Sequence, residues 1–166
     1  MNKLQRNRLI YTAIELLNAT DKRNMIHLDG VTLRFEMSLF GADEFNEEID
    51  RPWNIRECGT SCCLVGLGAA MYPGLIDIDT PWSSVSARLY GIPAVDEEDI
   101  DPDEVGFNSK TWNFLFNWKN PSDPIDAANR IIHVLKFGSP DAGVFFKPLH
   151  RDAAKLVEEL TAMLVP

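Results

Sequence analysis

From Cys58 to Met71 the chain reads Cys-Gly-Thr-Ser-Cys-Cys-Leu-Val-Gly-Leu-Gly-Ala-Ala-Met, with no charged side chain anywhere in it. A helix that is apolar or small on every side has no face to turn to water, so the rest of the chain must surround it. The stretch is too short to span a bilayer, which takes about 20 apolar residues. Thr60 or Ser61 is suited to cap its start through a hydroxyl that accepts from a backbone N–H two or three residues on. Tyr72-Pro73-Gly74 is suited to stop it after Met71. The expectation is a central core helix. Cys62, Gly66 and Ala70 follow at four-residue steps, a row of small side chains that lets a neighbouring helix come close. Each helical glycine costs about 1 kcal/mol relative to alanine, and close packing is the ordinary compensation.

All three cysteines, Cys58, Cys62 and Cys63, belong to this stretch. Two readings compete. Buried cysteines act as small hydrophobes. Alternatively, Cys62 and Cys63 stand in the first helical turn, where unpaired N–H groups and the helix dipole favour a thiolate, with Cys58 just upstream to complete a reactive thiol centre or a metal site. Core packing is preferred, because a reactive thiol needs an exposed, electropositive setting.

At 166 residues the chain is expected to form one globular domain, residues 1–166. Met1-Asn2-Lys3-Leu4-Gln5-Arg6-Asn7-Arg8 is polar, so no secretory signal is expected, and no stretch is long enough for a membrane helix. An odd, clustered cysteine count does not make a disulfide framework, which suits a reducing cytoplasm. The net charge of −9 is unevenly spread: residues 1–40 hold six basic and four acidic side chains, residues 41–104 three basic and fifteen acidic, and residues 105–166 seven basic and six acidic. The acidic middle disfavours direct nucleic-acid binding, which needs Lys and Arg against phosphate. It suits attraction to a basic partner surface, or simply a solvated acidic loop.

Along the chain, residues 3–19 predict an amphipathic helix with Leu4, Ile10, Tyr11, Ile14 and Leu17 on its apolar side. Residues 24–39 change to strand period: Val31, Leu33, Phe35, Met37 and Leu39 alternate with polar residues, and Asp29-Gly30 suits a two-residue hairpin turn. His27 falls on the polar side of that hairpin. An acidic connector follows, with Trp53 expected to fold back over the central helix. Beyond that helix, Ser83 or Ser84 caps a short helix closed by Gly91. Asp99, Asp101 and Asp103 have the spacing that opens a calcium loop, but Glu104 stands where glycine is needed and Lys110 where the last glutamate is needed, so a solvated loop is preferred. Residues 109–118 predict an aromatic helix carrying Trp112 and Trp118, with Ser109 as its cap. Asp123-Pro124 starts a helix that Gly138 ends, with His133 beside its buried stripe. Leu149, Ala153, Leu156, Leu160 and Leu164 mark the final helix. The whole predicts a mainly α fold: a compact helical domain around a central apolar helix, with one β-hairpin in the N-terminal half.

No phosphate-cradling glycine loop, HExxH or Gly-x-Ser-x-Gly occurs. Three isolated histidines supply no base with its orienter, so the reading leans away from an enzyme and implies no cofactor. Cys58-Gly59-Thr60-x-x-Cys63-x-x-Gly66 resembles the Cys-Gly-Thr-x-x-Cys-x-x-Gly signature of small phage and prophage-type bacterial proteins. The resemblance extends over residues 35–138, through Phe35-Glu36-Met37-Ser38 before the signature and Leu89-Tyr90-Gly91-Ile92, Leu115-Phe116 and the Pro124–Leu135 segment after it. Leu67 stands where such proteins often carry His or Trp, and Cys62 is additional. The resemblance implies a phage-type accessory protein at work in the host cytoplasm. The expected function is non-catalytic: binding and modulating a host protein with a basic surface, an anti-defence inhibitor of a nucleic-acid-handling protein being one form. Asp96, Glu97, Glu98, Asp99, Asp101, Asp103 and Glu104 would form the partner surface, with no direct contact to nucleic acid or membrane. The alternatives are a thiol- or metal-dependent protein using Cys58, Cys62 and Cys63, and a protein that sequesters a small molecule such as a signalling nucleotide by stacking on Trp53, Trp112 and Trp118.

Overall fold

The computed structural model describes residues 1–21, 23–36, 41–42, 61–77, 80, 82–92, 107–116, 121–138 and 146–166. Its first helix, α1 (Lys3–Ala19), starts with a capping box: the Asn2 side chain accepts from the Gln5 N–H while the Gln5 side chain accepts from the Asn2 N–H. Leu9, Ile10, Ala13, Leu16 and Leu17 form its buried side. The expected stripe is thus rotated. Leu4 is 59% exposed and Tyr11 48% exposed, while Leu9, Ala13 and Leu16 take the core positions. The cause is what lies around the helix: α1 packs against helices on several sides and against the first strand, so its buried arc is wider than the five-residue stripe.

The hairpin forms as expected from β1 (Met25–Leu28) and β2 (Val31–Phe35), paired antiparallel with Leu28 opposite Val31. Asp29 (φ 46°) and Gly30 (φ 81°) make the two-residue turn, a left-handed pair that matches strand twist. Two short strands extend this sheet beyond the expected hairpin. β3 (Gly41–Ala42) and β4 (Ser61–Cys62) give the order β1-β2-β4-β3, with β4 parallel to β2 and antiparallel to β3.

α2 (Leu64–Met71) is the expected central apolar helix, buried at every residue from Leu64 to Ala70. A 3-10 turn, Pro73–Leu75, follows it. α3 (Trp82–Tyr90) begins ahead of the serines read as its cap, and Gly91 ends it at φ 68°, its N–H donating to the Ala87 carbonyl. α4 (Phe107–Phe116) likewise starts before Ser109. α5 (Pro124–Phe137) matches its start and stop signals: Asp123 accepts from the Ile125 N–H, and Gly138 closes the helix in the left-handed region. α6 (Ala153–Ala162) is shorter than its leucine pattern, because Asp152 caps it through the Ala154 and Lys155 N–H groups and leaves Leu149 outside.

α1 and α2 share the centre. α1 touches α2, α3, α5 and α6, while α3 lies across α2. The contact between α2 and α3 is made at Gly68, where the Tyr90 hydroxyl and Leu89 lie over the bare α-carbon. The Tyr90 hydroxyl donates to Thr12 Oγ1 at 3.1 Å, joining α3 to α1 in the fully buried core. Gly68, which is not part of the Cys62, Gly66 and Ala70 row, is thus a point of close approach between α2 and α3.

Candidate functional site

Cys62 and Cys63 do not occupy a helical first turn. Cys62 sits in β4, and Cys63 is the N-cap of α2 with extended backbone (φ −84°, ψ −172°). The helix starts later than expected because Ser61 and Cys62 pair with both β2 and β3, which takes Ser61 out of a capping role. Both thiols are free and buried. Burial pushes the Cys63 thiol up to about 11, although the backbone amides of Gly66 and Val65 act in the opposite direction. Burial, reinforced by the neighbouring Cys63, pushes the Cys62 thiol well up. Both therefore stand protonated at neutral pH, the form that neither attacks nor ligates. Among the described residues no group of three or more His, Cys, Asp or Glu side chains is placed to hold a metal ion. Cys58 lies outside the described residues.

So do the acidic candidates Asp96, Glu97, Glu98, Asp99, Asp101, Asp103 and Glu104, together with Trp53 and Trp118. Trp112 is half-buried, its indole N–H donates to Ser86 Oγ at 3.1 Å, and its ring meets Phe116 edge-on. Its polar handle is thus used inside the core. His27 is exposed on the hairpin's polar side, near Thr32 and Asp21, as its alternation required.

A further constellation forms where the C-terminal half of α5 meets the segment Phe146–His150. Asn129, His133, Lys136 and Phe137 share one face of α5 by their spacing. Asn129 anchors the returning chain. Its amide donates to the carbonyls of Ile125 and His150, each at 2.8 Å, and its carbonyl accepts from the N–H groups of Leu149 at 2.6 Å and His150 at 3.2 Å. All four of its hydrogen-bonding positions are filled within the fold.

One turn on, His133 is 5% exposed and packs against the rings of Phe114, Phe137 and Phe146 at 4.9–5.7 Å between centroids. The Arg130 guanidinium lies over Phe114 and Phe146 at 5.0 and 4.9 Å and pairs with Asp126 at 2.6 Å. The His133 Nε2 is buried without a hydrogen-bond partner among the described residues. Desolvation lowers its pKa, so the imidazole is neutral at pH 7.

Beside this ring cluster lies a cleft of about 430 Å³, lined by Asn129, Ile132, His133, Lys136, Phe137 and the segment Lys147–Leu149. Phe137 is 46% and Leu149 44% exposed at its rim. The sequence placed His133 only beside the buried stripe of its helix, as a packed or surface side chain, and assigned Leu149 to the final helix. The relevant signal, Asn129, His133 and Lys136 on one helical face, acquires meaning only once the chain is known to return past it.

Comparison with known proteins finds no matching family model, no matching curated protein and no matching solved structure. Among the described residues no helix is long and apolar enough to cross a membrane.

Proposed function

We propose that this chain is a non-catalytic, phage-type accessory protein that binds a host protein through its acidic middle, in the host cytoplasm. The observation that carries the reading is the charge distribution: residues 41–104 hold fifteen acidic side chains against three basic ones, while the flanking parts are close to neutral. Such a field accelerates encounter with a basic surface and weakens with salt over a Debye length of about 8 Å at physiological ionic strength. Proteins that handle nucleic acid carry basic surfaces built for phosphate, and an acidic segment competes for them. Two protonated, buried thiols support a non-catalytic role. The nucleotide-sequestering alternative gains nothing from Trp112, whose indole N–H already serves the core.

The test compares the wild-type chain with Asp96→Asn, Glu97→Gln, Glu98→Gln, Asp99→Asn combined. A basic protein captured from host lysate at low salt is purified, and its association rate with both forms is measured at several salt concentrations. The expected result is a steep salt dependence for the wild type and an association rate lowered by about tenfold in the variant. Equal rates and equal salt dependence for the two forms, or capture of no basic protein, would reject the reading.

A further inference from the structure

The cleft beside His133 has properties that the acidic-surface reading does not use. Its floor and rim are apolar: Ile132, Phe137, Pro148 and Leu149. Asn129 holds the Leu149–His150 backbone to α5 with three hydrogen bonds and gives its fourth to the Ile125 carbonyl, so the cleft exists before anything enters it, and Asn129 has nothing left to offer a ligand. The polar groups that remain at the cleft are donors. Lys147 is exposed and has no counter-ion among the described residues. Lys136 pairs with Glu159 at 2.6 Å, which leaves part of its ammonium open and cancels its charge. His133 lines the cleft with its ring, its Nε2 being closed off from solvent.

From these groups we infer that the cleft is a binding site for a small apolar monocarboxylate, such as a medium-chain fatty acid. Its tail lies against Ile132, Phe137, Pro148 and Leu149, and its carboxylate accepts from Lys147 and Lys136. The net charge of the lining decides between ligand classes. With the Lys136–Glu159 pair neutral and His133 uncharged, one positive charge remains, which matches a single carboxylate and leaves a polyphosphate uncompensated. About 430 Å³ falls within the range of small-molecule clefts.

The test is a ¹H–¹⁵N correlation titration of the full chain with octanoate, with octan-1-ol and inorganic phosphate as separate titrants. The expected result is saturable shifts from octanoate at Ile132, His133, Phe137 and Leu149. Octanol binds more weakly and phosphate leaves these resonances in place. Lys147→Gln, at an exposed position that tolerates glutamine, weakens octanoate about three- to fivefold and leaves octanol unchanged. Absence of saturable shifts, equal affinity for octanol, saturation of the same resonances by phosphate, or unchanged octanoate affinity in Lys147→Gln would each overturn the inference. None of these outcomes bears on the acidic segment, so the two proposals fail separately.

Discussion

Replacing Gly68 with alanine isolates the contact on which the helical centre is built. A Cβ at this position would stand 2.8 Å from the Tyr90 Cζ and 2.9 Å from the Leu89 Cδ1, and nearer still to the Tyr90 hydroxyl. Tyr90 has nowhere to go without losing something, because it is fully buried, donates to Thr12 and stacks on Phe116 at 6.0 Å. Overpacking of this kind costs about 1–3 kcal/mol. Displacing the phenol also takes the buried Tyr90 hydroxyl from its Thr12 acceptor, while Thr12 Oγ1 keeps its bond to the Arg8 carbonyl, a loss of about 1–2 kcal/mol. Against this, alanine in place of glycine favours the helix by about 1 kcal/mol. The net expectation is a loss of about 2–3 kcal/mol, read by urea unfolding at constant m-value. Combining Gly68→Ala with Tyr90→Phe removes the offending oxygen, so the double variant should be more stable than the sum of the singles by about 0.5–1 kcal/mol. If Gly68→Ala instead stabilises the protein, helix propensity alone is acting, and Tyr90 does not lie over α2.

Two further outcomes follow from α5. Asn129→Ala removes four hydrogen bonds at a buried side chain, and with water able to reach the exposed Leu149 end the loss should be about 2–3 kcal/mol by chemical denaturation, accompanied by disappearance of octanoate binding as the cleft loses its anchor. His133 has a folded pKa below its ordinary value because of burial, so the unfolded chain binds the extra proton first as pH falls. Stability should therefore decline as pH drops below about 6.5, and His133→Phe should flatten that slope in unfolding measured between pH 5 and 7; an unchanged slope would mean that the imidazole is solvated.

The features legible in the sequence are those set by short-range chemistry. The Asp29-Gly30 turn, the Asp123-Pro124 start and the Gly138 stop each depend on a few adjacent backbone groups, and each falls where those residues require. The charge-free run announced α2 because no exposed position could suit it. The failures have long-range causes. Ser61 was suited to capping, but β2 and β3 claimed its backbone, which shortened the helix and moved Cys62 into a strand. Leu149 has helical spacing with Leu156 and Leu160, yet the Asp152 cap ends the periodic segment before it. The His133 cleft was illegible for the same reason: its two walls are separated in sequence and brought together by Asn129. The acidic and tryptophan candidates Asp96–Asp99, Asp101, Asp103, Glu104, Trp53 and Trp118 lie outside the described residues.

Thiol reactivity in the folded protein tests most directly whether the cysteine-and-glycine segment is interior scaffold. With the Cys63 thiol pushed up to about 11, only about one part in a thousand is thiolate at pH 8, and burial withholds even that fraction from reagent. Titration with an aromatic disulfide at pH 8 should leave Cys62 and Cys63 unmodified in the native protein, with all three cysteines reacting at once in denaturant. Rapid native modification of Cys62 or Cys63, as rapid as in the unfolded chain, would contradict the buried placement and return the segment to candidacy as a reactive centre.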